Sequence, residues 1–227
     1  VITPGQTVNR LCASGLSTVI DAARAITCNE GDIFLAGGVE SMTRAPFVFA
    51  KTEQPFSRDF KVFDTTIGSR FPNPVLTKAF GSDSMPQTGD NVARKYDISR
   101  EEADKFAAAS QAKYQAAKQA GFFDDEITPI RVSQGKKLPD EAIMEDEHPR
   151  ASSTVEALQK LKPLNENGVV TAGNASGIND GAAALIIGST QAEERLGFKP
   201  IAKILSSGAM GVEPNIMGVG PVEAIKL

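Results

Sequence analysis

The sequence predicts an α/β fold, a sheet with covering helices into which a long helix-rich segment is inserted. Three observations carry that expectation. Leu16, Val19, Ile20, Ala23 and Ile26 recur at helical spacing. Ile33-Phe34-Leu35-Ala36 is a short continuous apolar run bounded by glycines, the form of a strand buried on both faces. Strand and helix alternation lapses from Ser41 to about Lys162 and resumes at Gly168, a gap too long for a plain loop in a compact domain.

In order, Thr7 to Asn9 reads as a short strand, and the helix from Leu16 runs to the turn Asn29-Glu30-Gly31-Asp32. Strand, helix and strand in succession predict parallel neighbours in the sheet. Gly37-Gly38 then predicts a sharp turn, where side chains would clash. Phe47 to Pro74, with scattered aromatics and prolines, predicts irregular structure. A helix is expected over Thr88 to Tyr96. Ser99 and Glu102 form a capping box for another, continued by Ala103, Phe106, Ala107, Ser110, Tyr114 and Ala117 to Gly121. Beyond it come a strand over Glu126 to Val132, a helix capped by Ser153 and Glu156 and ending near Leu161, and a strand over Gly168 to Thr171. A small-residue turn, Ala172 to Gly177, leads to a strand over Ala183 to Ile187. A helix over Gln191 to Leu196 stops at Gly197, and a last strand covers Ile201 to Ser206.

Composition excludes several function classes. The 227 residues are 41% apolar with a net charge of -4 and mixed acids and bases, so no basic stripe offers itself to nucleic acid. No run approaches the roughly 18 apolar residues of a membrane span, and no charged-then-apolar leader opens the sequence, so the expectation is a soluble, cytoplasmic protein. Two cysteines and one histidine supply neither a disulfide framework nor a metal site. The sequence opens on Val1-Ile2-Thr3-Pro4-Gly5 without a Met and closes on Pro221 to Leu227, which reads as the first turn of an unfinished helix.

Cys12 stands where an extended segment gives way to an apolar helix. Such an end favours an anion, the state in which a thiol attacks carbonyl carbon, and Ser14 and Gly15 are small enough to let a substrate approach. Taken alone, a cysteine reads more often as an inert core thiol. Cys28, near the opposite end of the helix, reads as structural.

The run Asn9-Arg10-Leu11-Cys12-Ala13-Ser14-Gly15-Leu16 resembles the acyl-enzyme signature of thiolases, which exchange acyl groups between a cysteine and coenzyme A. Two further runs match that family in order: Ala36-Gly37-Gly38-Val39-Glu40-Ser41-Met42, and Val170 to Ala183 with its core Ala172-Gly173-Asn174-Ala175-Ser176-Gly177. The resemblance implies a thiolase-like mixed sheet with covering helices and an inserted lid subdomain, seen in a middle segment of the family's chain. It divides the sequence into residues 1–40 (first part of the N-terminal core), 41–162 (lid), 163–199 (remainder of that core) and 200–227 (start of the C-terminal half).

The resemblance also assigns the site. Cys12 is the acyl-accepting nucleophile. Met85 matches a pocket methionine, Arg150 an arginine directed at the nucleotide end of coenzyme A, and Ala172 and Ser176 contacts to its pantetheine arm. A guanidinium suits phosphate and stacks on adenine, although Arg150 alone would read as a solvated surface charge. Likewise the Gly/Asn/Ser cluster alone reads as a tight turn. Many thiolases have a histidine in the place of Ser84. His148 lies in surroundings unlike the family's catalytic Gly-His-Pro run. That histidine, a second cysteine and an asparagine-containing motif belong to the family's second half and do not occur in this sequence, so these residues alone are expected not to turn over substrate.

The implied activity is thiolytic cleavage of 3-oxoacyl-CoA or the reverse condensation. Coenzyme A thioesters are the substrates, no cofactor is bound permanently, no metal takes part, and the assembly is a homodimer or homotetramer. Phe63 to Gly68 and Asp146 to Arg150 look most like the 3-oxoadipyl-CoA thiolases of aromatic degradation. The alternatives are an acyl-CoA-binding or scaffold piece without turnover and, within the same superfamily, a ketosynthase.

Overall fold

The computed structural model describes residues 2–133 and 141–227. They gather into two compact units, one made of Val1–Asn73, Ile178–Gly211 and Pro221–Leu227, the other of Pro74–Gly177 and Val212–Gly220.

In the first unit a 3-10 turn over Leu11–Ala13 runs directly into α1 (Ser14–Thr27), so the helical run does begin close to Cys12, at Leu11. The chain turns at Asn29, in the left-handed region at φ 59°, and enters β1 (Ile33–Glu40). β2 (Phe47–Phe49) and β3 (Val62–Asp64) form a short hairpin within the stretch expected to be irregular, and Phe49 and Phe60 meet at 5.1 Å beside it.

The second unit is helical. α2 (Pro74–Phe80) precedes α3 (Met85–Lys95), which starts three residues earlier than the sequence implies, because Gln87 Oε1 accepts from the Ser84 N–H at 2.7 Å and Pro86 suits a helix start. α4 (Arg100–Gln119) carries the expected capping box, with Glu102 accepting from the Ser99 N–H at 2.8 Å. The hairpin of β4 (Ile130–Val132) and β5 (Glu141–Ile143) follows, then α5 (Val155–Gln159), capped by Thr154 rather than Ser153. A 3-10 stretch over Pro214–Val219 packs on α3 in the same unit. Back in the first unit, β6 (Gly181–Gly188) is followed by α6 (Thr190–Leu196), which Gly197 stops at φ 66°, as expected, and α7 (Gly220–Lys226) lies at the end of the sequence.

Several expectations are corrected. β1 pairs with β6 antiparallel, Ile33 opposite Gly188 through Glu40 opposite Gly181, where parallel neighbours were expected. Gly37-Gly38 lies inside β1, and there a Cβ on Gly37 would come within 2.6 Å of the Ala183 carbonyl oxygen; the glycine serves close strand approach rather than a turn. β1 is covered on one face only. Ala36 is buried toward α1, while Leu35 and Val39 point outward and are exposed. Thr7 to Asn9 and Ile201 to Ser206 form no strand, and Gly168 to Thr171 contributes only an isolated bridge from Thr171 to Pro163. Sequence reports the propensity of such segments, whereas a strand also needs a partner to hydrogen-bond with, and the described residues give these none.

Two carboxylates lie inside the second unit. Asp90, 6% exposed, accepts from Asn165 Nδ2 and the Val169 N–H at 2.7 Å and from the Val170 N–H at 3.0 Å. Gly168 sits so close that a side chain there would collide with the Asp90 carboxylate. Asp104 is wholly buried and pairs with Arg100 Nε at 2.7 Å. Burial pushes the Asp90 carboxyl's pKa up, but the bonds from Asn165, Val170 and Val169, together with the nearby Arg94 charge, outweigh it and hold the pKa below the ordinary value. A carboxyl whose folded pKa is depressed contributes stability that is complete above its unfolded pKa and is lost as pH falls through the folded one. Asp90→Asn is therefore expected to lower stability at neutral pH by about 1–3 kcal/mol and to flatten the loss of stability on acidification below about pH 4. Urea unfolding of both proteins between neutral and acid pH measures this, and an unchanged acid limb in the variant would remove Asp90 as its source.

Candidate functional site

The turn that carries Cys12 is pinned by its neighbours. Leu11 adopts φ 53°, a conformation that costs a residue with a bulky side chain roughly 1–2 kcal/mol. Asn9 Oδ1 accepts from the Leu11 N–H at 2.9 Å. Ser14 Oγ accepts from the Arg10 N–H at 2.8 Å and donates to the Leu11 carbonyl at 2.7 Å. Ser14 thus does more than leave room: its hydroxyl locks the turn, while a Cβ on Gly15 would meet nothing within 4 Å. Cys12 is exposed at the first turn of the helical run, the end at which a helix dipole favours an anion. Cys28 is also exposed but forms the C-cap of α1, where carbonyls gather.

In the same unit, Asp180 ties together two of the sequence motifs. It accepts from the Thr43 N–H at 2.9 Å and the Thr43 hydroxyl at 2.7 Å, bonds that hold its carboxyl below the usual carboxylate range. The segment after β1 and the segment before β6 are thereby joined just beyond the Glu40–Gly181 end of the ladder.

Met85, Arg150, Ala172 and Ser176 all lie in the second unit. Met85 opens α3 and is exposed, directly after Ser84, whose place is the N-cap of that helix. Arg150 is exposed, and its N–H donates to Gln111 Oε1 on α4 at 2.8 Å. Ala172 and Ser176 are on the open side of their turn. Its inner side is filled by Thr171, Asn174 and Gly173, where any side chain on Gly173 would collide with Leu158 and Leu161. The ring of His148 packs against the backbone of Gly177. Sequence reasoning passed over Asn9, Asp90, Asp104 and Asp180. An arginine and an aspartate four apart, as Arg100 and Asp104 are, ordinarily read as a solvated helix pair.

Residues 2–191 match the family model for the thiolase N-terminal domain. The chain belongs to this family. It is 52% identical over 225 residues to the beta-ketoadipyl-CoA thiolase of Pseudomonas putida, with 98% of this chain and 56% of that protein aligned. To an acetyl-CoA acetyltransferase of Allochromatium vinosum it is 44% identical over 223 residues, covering 97% and 55%. The human mitochondrial 3-ketoacyl-CoA thiolase, solved in complex with CoA, shares 40% identity and a TM-score of 0.84 over 99% of this chain and 54% of that one. The fold is therefore that of a thiolase, and the chain spans just over half the length of these relatives. No helix among the described residues is long and apolar enough to cross a membrane, and no group of three or more His, Cys, Asp and Glu among them is placed to hold a metal ion.

Position at opposite ends of α1, rather than exposure, separates the two thiols. Limiting iodoacetamide on the native protein is expected to alkylate Cys12 before Cys28, as read by peptide mass spectrometry. Faster labelling of Cys28 would overturn the assignment of Cys12 as the nucleophile.

Proposed function

We propose that the protein is a thiolase-type acyltransferase in which Cys12 accepts the acyl group of a 3-oxoacyl-CoA. The Cys12 thiolate attacks the 3-oxo carbon, the bond between carbons 2 and 3 breaks, and the departing carbanion takes a proton to become acetyl-CoA. The thiol of a second coenzyme A then takes the acyl group from Cys12, and the reverse sequence is the Claisen condensation. The observation that carries the reading is an exposed cysteine held on a strained, pinned turn at the start of α1, in a chain 52% identical to a beta-ketoadipyl-CoA thiolase. The names of the relatives favour 3-oxoadipyl-CoA as the acyl donor.

Within this reading Met85, Arg150, Ala172 and Ser176 hold coenzyme A, with Met85 and Arg150 contributed by an inserted subdomain over 41–162 between the core segments 1–40 and 163–199. Residues 200–227 open the C-terminal half. Assembly as a homodimer or homotetramer and residence in the cytoplasm belong to the same proposal. The chemistry of this chain's own residues is acyl acceptance. The acid/base groups that serve the departing carbon and the entering thiol are assigned to motifs outside this sequence.

Two measurements test the proposal. Acetyl-CoA mixed with the full-length protein and quenched in acid should leave one acetyl group on the Cys12 peptide and none in Cys12→Ser. Coenzyme A binding without an adduct would make the protein a binder instead. Arg150→Ala should raise KM for coenzyme A about three- to tenfold with kcat little changed, the pattern of lost uniform binding. An unchanged KM would remove Arg150 from the site.

A further inference from the structure

The turn from Thr171 to Ser176 is shaped from below by a side chain on a distant helix. Asn174 spends its whole carboxamide inside the protein: Oδ1 accepts from the Thr171 N–H at 2.8 Å, and Nδ2 donates to the Val169 carbonyl at 2.9 Å and to Asp104 Oδ1 at 3.0 Å. Asp104 is 0% exposed, and its other oxygen accepts from Arg100 Nε at 2.7 Å. Thr171, also 0% exposed, accepts through Oγ1 from the Gly173 and Asn174 N–H groups at 3.2 and 3.3 Å. The inner side of the turn is thus fully hydrogen-bonded, and its orientation follows the carboxylate of α4, some 70 residues earlier in sequence.

We infer that Asp104 is a positioning residue for coenzyme A. By fixing the amide plane of Asn174, it sets where Ala172 and Ser176 present themselves to the pantetheine arm. The inference rests on the reading of those two residues as coenzyme A contacts. The chemistry of Asp104 suits the task, since a buried carboxylate offers acceptors on both sides and can take a bond from Arg100 and one from Asn174 together. An asparagine in its place has one acceptor oxygen. Drawn to the Arg100 charge, that oxygen would leave an NH₂ facing the NH₂ of Asn174, and the turn would have to rotate away.

Two variants of the full-length protein, Asp104→Asn and Thr171→Val, test this against two acyl donors, acetyl-CoA and a simple acetyl thioester that lacks the pantetheine arm. Both variants should raise KM for acetyl-CoA about tenfold, the worth of one charged hydrogen bond, with kcat within about a factor of two. Acetylation of Cys12 by the short thioester should proceed at the wild-type rate. The second donor removes a merely structural explanation, because general loosening would slow acylation by both. Unchanged KM in folded variants, or equal loss with the two donors, overturns the inference while leaving the acyltransferase reading intact. If wild-type protein shows no saturable use of acetyl-CoA, both fall together. Thr171→Val disturbs the same turn without creating an unpaired charge, so it keeps the test decisive even if Asp104→Asn fails to fold.

Discussion

A buried negative charge organises the second unit. Taking a carboxylate out of water costs several kcal/mol unless bonds around it compensate. Asp104 receives them from Arg100 on its own helix and Asn174 across the unit, while the Arg100 guanidinium also donates to the Leu158 and Leu161 carbonyls at 2.7 and 2.9 Å. α4, the end of α5 and the turn after Val170 therefore share one polar centre. Gln111, two turns along the same face of α4, holds the backbone of Arg150. The helix announced by its capping box is also the beam to which Arg150 and the turn of Ala172 and Ser176 are fastened.

The first unit solves a different problem by similar means. The chain changes direction abruptly just before Cys12, the proposed nucleophile, and the left-handed φ at Leu11 does this at a cost a leucine does not bear by itself. Asn9 and Ser14 meet that cost locally with three hydrogen bonds. The helix then fixes the turn from the other side, since α1 packs on β1 with Ser17 and Ala22 buried. Strain persists where the surroundings over-determine it, and here they do so on both sides of the cysteine.

What the sequence made legible follows local chemistry. The capping box of Ser99 and Glu102, the stop at Gly197 and the helical start close to Cys12 are written in neighbouring residues and were read correctly. Features that depend on distant partners were not legible. Gly37-Gly38 looks like a turn until Ala183 is known to lie opposite, and the strands expected at Thr7 and Ile201 lack a ladder. Phe106 belongs to the set that recurs at helical spacing on α4, yet it is exposed, while Asp104 outside that set is buried. Hydrophobic periodicity finds a face when apolar residues define it; Ala103, Ala107, Tyr114 and Ala117 of that set are half-buried, but the most buried position of the face is a charge, which apolar spacing does not report.

The proposed site residues come from another kind of signal. Ala172 and Ser176 were singled out through motif resemblance, and physical reading alone gave a tight turn. The tight turn is what the structure has, and it leaves room for the proposed contacts because residues of the segment answer to different demands. Thr171, Gly173 and Asn174 face inward and are fixed by hydrogen bonding and by contact with Leu158 and Leu161. Ala172 and Ser176 face outward, where the fold asks little of them. A small outward residue has no stability argument behind it, so its identity is left to whatever approaches the turn. A long, flexible thioester arm gains little from a charged partner along its length and much from a surface already rigid before it arrives, because ordering the surface on binding would subtract from affinity. In the proposed site the polar centre beneath the turn supplies that rigidity, and on that reading the burial of Asp104 and the plainness of Ala172 belong to one design.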